Sequence, residues 1–181
     1  MSMLEYFFDV SKDSKSLFDG LKIMEHTDIV EKHLNKYPVI SLTLKNVELD
    51  TYTESLEKIR ELISDIFHEN MYLYESDSLY ERQKEIFYDL LSGKSTVVEL
   101  QSALQFLTKC LYTFHKKRVI VLMDEYDAPI TNALLKGHYP EMIEFMRSFM
   151  GNVFKTNNYL EFGVLTGVQR FSMNHGVSSG I

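Results

Sequence analysis

Residues 119–127 read VIVLMDEYD, and this stretch decides the fold of the chain. It opens with an apolar run, residues 119–123, that is rich in β-branched side chains and too short for a helix. The run predicts a strand buried on both faces, which is typical of parallel sheets covered by helices. The acidic residues that follow lie at the carboxyl end of this strand, where the loops of an open parallel sheet diverge and leave a crevice for ligands.

Strands and helices alternate along the rest of the chain. Residues 39–44 (VISLTL) and 160–165 (LEFGVL) are predicted strands. Apolar residues recur at helical spacing in several segments, among them 79–91 and 141–154. This order of elements predicts an α/β fold, a three-layer sandwich around a mostly parallel sheet.

The composition indicates a globular domain of the cytoplasm. The chain has 181 residues, of which 45% are hydrophobic and 25% charged, and its net charge is -7. Phosphate contacts need clustered Lys and Arg, so we expect no direct binding of nucleic acid. The apolar runs are far too short for a membrane span, and the N-terminus has no secretory signal. A single cysteine, Cys110, fits a reducing compartment.

Asp124 and Glu125 are the candidates for metal binding and catalysis. In ATPases, an Asp at the end of a buried strand holds Mg²⁺, and the Glu beside it polarises the attacking water. A strand that leads into an acidic turn, with Pro129 starting the next helix, explains the pattern of residues equally well. The residue pattern leaves both interpretations open.

The whole chain resembles a known family. Residues 119–130 (VIVLMDEYDAPI) resemble the Walker B region of the bacterial AAA-ATPase-like family, whose P-loop NTPase domain is often followed by a PD-(D/E)XK nuclease-like domain. Residues 2–9 resemble the helix after the family's phosphate-binding loop, and residues 18–21 its next turn. Residues 37–47 resemble its second strand, and residues 160–170 its fourth strand with the sensor turn.

The resemblance implies a role for four residues. Asp124 would be the Mg²⁺-binding acid and Glu125 the catalytic base. Thr166 would be the sensor at the γ-phosphate of ATP, and Arg170 a second nucleotide-binding residue. Asp127 also matches a family position, but the resemblance gives it no role. Mg²⁺ and ATP are therefore the expected cofactor and ligand of the complete protein.

The chain also departs from the family pattern. The family's phosphate-binding loop and first strand would lie before Met1, and its fifth strand would lie beyond Ile181. We therefore expect residues 1–181 to be one partial domain, truncated at both ends, with strands 2, 3 and 4 of a P-loop NTPase-type sheet. Such a fragment is expected to be inactive alone. Expected partners are a C-terminal nuclease-like domain, another protein, or a second copy through self-association.

One phosphate-loop-like segment is a decoy. Residues 93–95 (Gly-Lys-Ser) end like a Walker A loop, but they follow a predicted helix instead of a strand, so we expect a helix–helix turn.

The alternative function is a regulatory or protein-interaction module on an NTPase-like scaffold that does not hydrolyse ATP. A lysine placed at the β- and γ-phosphates would distinguish the ATPase from this module.

Overall fold

The computed structural model describes residues 1–155 and 157–169. Its helices are α1 (Ser2–Phe8), α2 (Thr27–His33), α3 (Tyr52–Glu69), α4 (Met71–Glu75), α5 (Glu81–Leu91), α6 (Val97–His115), α7 (Ala128–Lys136) and α8 (Tyr139–Phe154), with short 3₁₀ turns at Lys15–Phe18 and Lys22–Glu25. Its strands are β1 (Val39–Thr43), β2 (Val119–Asp124) and β3 (Leu160–Leu165). None of these helices combines the length and apolar character that a bilayer span requires.

Within the described residues the strands form a parallel sheet in the order β1-β2-β3. Thr43 of β1 is paired with Asp124 of β2, and Met123 of β2 is paired with Leu165 of β3. The predicted α/β fold with a parallel sheet is confirmed, and β2 lies between the other two strands. Because all three strands run the same way, their carboxyl ends meet at one edge of the sheet.

β2 is buried on both faces, as its apolar run predicts. Val119 to Met123 have no exposed surface. Alternate side chains point to opposite faces of a strand. Val121 and Met123 join the large core beneath α3, α5, α6 and α8, whereas Ile120 and Leu122 join a smaller cluster that includes Tyr37. The N-terminal segment, with Phe8 of α1, packs against that smaller cluster.

The helix starts follow from local chemistry. Thr51 caps α3 and Thr96 caps α6, and in each case the glutamate three residues on bonds back to the cap residue. Two predicted boundaries were wrong by two residues. α5 begins at Glu81 and not at 79, and α8 begins at Tyr139 and not at 141. Pro140 favours the earlier start of α8, because proline fits the first turn of a helix.

Candidate functional site

Asp124 and Thr166 meet at the carboxyl edge of the sheet. Asp124 is the last residue of β2, and Thr166 directly follows β3. The amide of Thr166 donates to the carbonyl oxygen of Met123 at 3.0 Å, which continues the pairing of the two strands. The Thr166 hydroxyl donates a hydrogen bond to Oδ1 of Asp124. The fold therefore brings together two predicted site residues that are 42 positions apart in the chain.

The carboxylate of Asp124 has one occupied oxygen and one available oxygen. Besides the Thr166 hydroxyl, Oδ1 accepts a hydrogen bond from the backbone N–H of Glu125 at 3.0 Å. Within residues 1–155 and 157–169, Oδ2 has no hydrogen-bond or ion-pair partner. The two bonds fix the orientation of the carboxylate, and its second oxygen has no partner among the described residues.

Glu125 has an unusual backbone conformation. Its φ is 51°, in the left-handed region, where a residue with a side chain is strained. The conformation reverses the chain between β2 and α7, and the carbonyl oxygen of Glu125 accepts from the amide of Ala128 at 3.1 Å. Its half-buried carboxylate has no hydrogen-bond or ion-pair partner in the part of the chain that the structure describes. Backbone strain of this kind concentrates at functional sites.

Asp127 contacts the turn that follows Thr166, a role that sequence reasoning did not assign. Its Oδ2 accepts from the amide of Val168 at 3.0 Å and from the amide of Gln169 at 2.7 Å. These partners are 41 and 42 residues away, so spacing along the chain gave no signal. Gly167 is the one local hint, because glycine permits a close approach of the backbone.

Asp124 is a described residue that could hold Mg²⁺ if a phosphate ligand supplied further oxygens. The described residues contain no group of three or more His, Cys, Asp or Glu side chains that could hold a metal ion on its own. Mg²⁺ usually takes one or two carboxylates from the protein and completes its shell with water and substrate phosphate oxygens. Asp124, with one available oxygen, fits that pattern. Arg170, the other predicted nucleotide-binding residue, lies outside the described residues.

The Gly-Lys-Ser segment, residues 93–95, lies in the turn between α5 and α6. Its three amides all donate to carbonyl oxygens at the end of α5: Gly93 to Leu90, and Lys94 and Ser95 to Asp89. A phosphate-binding loop needs amides that are free to point at the phosphate. The helix–helix turn predicted for this segment is confirmed.

A family model described as "Predicted AAA-ATPase" matches residues 1–176. The chain belongs to this AAA-ATPase-like family. No curated protein matches the chain, and no solved structure matches it. The AAA-ATPase-like match contains Asp124, Glu125, Asp127, Thr166 and Arg170, and it confirms the family that the sequence resembles.

Proposed function

We propose that this AAA-ATPase-like chain carries the Mg²⁺-binding and water-activating half of an ATP hydrolysis site. The observation that supports the proposal best is the hydrogen bond from Thr166 to Asp124 at the carboxyl edge of the parallel sheet. It joins a carboxylate at the end of the most buried strand to a hydroxyl directly after the neighbouring strand, at the edge where ligands bind in folds of this class.

Asp124 has the Walker B role in this proposal. Its Oδ1 accepts from Thr166 and Glu125, which fixes the carboxylate and leaves Oδ2 without a partner among the described residues. When bound, Mg²⁺ neutralises charge on the β- and γ-phosphates. Thr166, beside this carboxylate, has the sensor role.

Glu125 has the role of the base. Glu125 directly follows Asp124 in the chain. Within the described residues, the Glu125 carboxylate has no cation or hydrogen-bond donor as a partner. A general base must be free to orient a water molecule and accept its proton. The strained backbone holds this glutamate at the sheet edge, between β2 and α7.

The remaining half of the site, the phosphate-binding loop, has no counterpart in the turns that follow β1 and β2. Residues 44–51 and 125–127 contain no glycine, and the amides of residues 93–95 are already bonded. We therefore propose that the 181-residue chain does not hydrolyse ATP by itself. The same observation favours the second candidate function, an interaction module that binds without hydrolysis.

Nucleotide binding tests the first step of the proposal. We expect Asp124→Asn to reduce the Mg²⁺-dependent part of ATP affinity at least tenfold, roughly the scale on which residues around a metal act. The neutral amide keeps the size of the side chain but removes the charge that attracts the ion. Fluorescence anisotropy of a labelled ATP analogue, titrated with and without Mg²⁺, measures the effect.

The matched control is Asp65→Asn, which alters an exposed acid on α3. We expect this variant to bind Mg-ATP as the parent does. Equal Mg²⁺-dependence in the parent and in Asp124→Asn would contradict the proposed role of Asp124.

A second copy of the chain is the partner that we propose for β3. In the described residues β3 pairs with β2 alone, so its other edge presents unpaired backbone groups. Phe162 is 38% exposed and Leu165 37% exposed. Open apolar strand edges pair readily with other chains, and an identical edge offers matching donors and acceptors.

We expect the chain to self-associate as its concentration rises, and Phe162→Lys to weaken the association. A charged side chain on an edge strand disfavours pairing. Sedimentation velocity over a series of concentrations measures this. Leu135→Lys is the control, because Leu135 is 80% exposed but lies on α7. A monomer at all concentrations would contradict the proposed pairing, as would equal weakening by both substitutions.

A further inference from the structure

Asp127 is a buried acid whose carboxylate faces the turn at residues 167–169. Only 5% of its surface is exposed. Its Oδ2 accepts both the Val168 and the Gln169 amides, at 3.0 and 2.7 Å. Hydrogen bonds to an ionised acceptor are roughly twice as strong as neutral ones, and a buried carboxylate needs such bonds to offset its desolvation. The Asp127 carboxylate is therefore held by its hydrogen bonds to the turn.

The backbone of the turn lies directly against that carboxylate. A Cβ atom built onto Gly167 would lie 2.4 Å from Oδ1 of Asp127 and 3.0 Å from Cε1 of Tyr126. The first distance is shorter than real Cβ contacts, so a side chain at 167 would force either the turn or the Asp127 carboxylate to shift. The Tyr126 hydroxyl also donates to the carbonyl oxygen of Gln169 at 2.8 Å, which ties the far end of the turn to the same loop.

Two simpler roles for Asp127 do not fit these contacts. An aspartate just before a helix often caps it, but Asp127 makes no side-chain cap hydrogen bond with α7. A base or metal ligand needs an available oxygen. Oδ2 already accepts two amides, and Oδ1 lies against Gly167.

Thr166 immediately precedes the turn that Asp127 holds. Its carbonyl oxygen accepts from the amide of Tyr126 at 3.1 Å, and its hydroxyl donates to Asp124. We infer that Asp127 is a positioning residue, which holds residues 167–169 and thereby sets the Thr166 hydroxyl on the Asp124 carboxylate. The inference rests on the proposed function in one respect: Mg²⁺ with ATP is the ligand that the oriented Asp124 carboxylate binds.

Amide hydrogen exchange tests the positioning role without any nucleotide. In Asp127→Ala we expect the Val168 and Gln169 amides to exchange at least about tenfold faster, because they lose bonds to a charged acceptor. In Asp127→Asn the side-chain carbonyl still accepts, so most of the protection should return. The amide of Ile120, which donates to Pro38 at 3.0 Å in the sheet, reports global unfolding and should change much less.

Mg²⁺-dependent ATP affinity is the second readout. We expect Asp127→Ala to lose the same share of this affinity as Thr166→Val, which removes the hydroxyl and keeps the shape. Asp127→Asn should retain most of it, and Asp65→Asn all of it. A merely structural role would lower all affinities with the folded fraction and would not follow the Thr166→Val result. If the alanine variant does not fold, Gly167→Ala replaces it, since a Cβ at 167 collides with Oδ1 of Asp127 and so disturbs the same contact from the side of the turn.

The inference is overturned if the Val168 and Gln169 amides stay protected in Asp127→Ala. It is also overturned if they lose protection while the Mg²⁺-dependent affinity stays at the parent value. A parent chain without Mg²⁺-dependent binding refutes the proposed function instead. In that case the exchange of the two amides still decides whether Asp127 holds the turn.

Discussion

Replacing Glu125 with Gln is expected to slow ATP hydrolysis about a hundredfold or more, the scale for losing a positioned base, in a protein that joins this chain to a phosphate-binding loop. Nucleotide binding should be nearly unchanged, because Gln keeps the size of the side chain and Asp124 is untouched. Single-turnover hydrolysis and equilibrium binding of Mg-ATP, measured on the same preparations, separate the two effects.

Glu31→Gln is the matched control, since Glu31 is an exposed glutamate on α2. Hydrolysis at the parent rate in Glu125→Gln would show that another group activates the water. Asp127 would be a poor replacement, because its carboxylate already accepts the Val168 and Gln169 amides.

Phe87→Ala is expected to lower the free energy of unfolding by about 3–5 kcal/mol, the usual range for removing a buried aromatic ring. Phe87 has no exposed surface, and its ring lies edge-on to Phe67 with 4.7 Å between the centroids. Both rings belong to the large core that also contains Val121 and Met123 of β2. The cavity would therefore open between α3 and α5, and urea denaturation followed by circular dichroism measures the loss.

Tyr88→Ala is the control in the same helix. Tyr88 is 49% exposed, so its loss should cost less than about 1 kcal/mol. Similar losses for Phe87→Ala and Tyr88→Ala would mean that α5 does not pack as described.

The sheet was predictable because its signals are local. A short apolar run with β-branched residues is sufficient to identify β2, and the alternation of strands with helices predicts a parallel sheet around it. Adjacent parallel strands end at the same edge of a sheet, so Asp124 and Thr166 come together because β2 and β3 are neighbours. α4 was not predicted, because it has five residues and no side-chain cap bond.

The conformation of Glu125 and the role of Asp127 were beyond the reach of the sequence. A glutamate has no preference for the left-handed region, so only the surrounding fold reveals that Glu125 adopts it. Asp127 has the residue type and position of a helix cap, and local pattern would assign it to α7. Its actual partners belong to the turn after β3, and tertiary packing decides between the two.

Cys110 has a practical consequence for work on this chain. It is the one cysteine of the sequence, it lies in α6 with no exposed surface, and burial raises the pKa of its thiol to about 12. The thiolate is the reactive form, so the folded chain resists maleimides and air oxidation. A cysteine introduced at the surface can then be labelled with a dye while Cys110 remains unlabelled. The rate at which Cys110 itself is labelled then measures how often the helical layer opens.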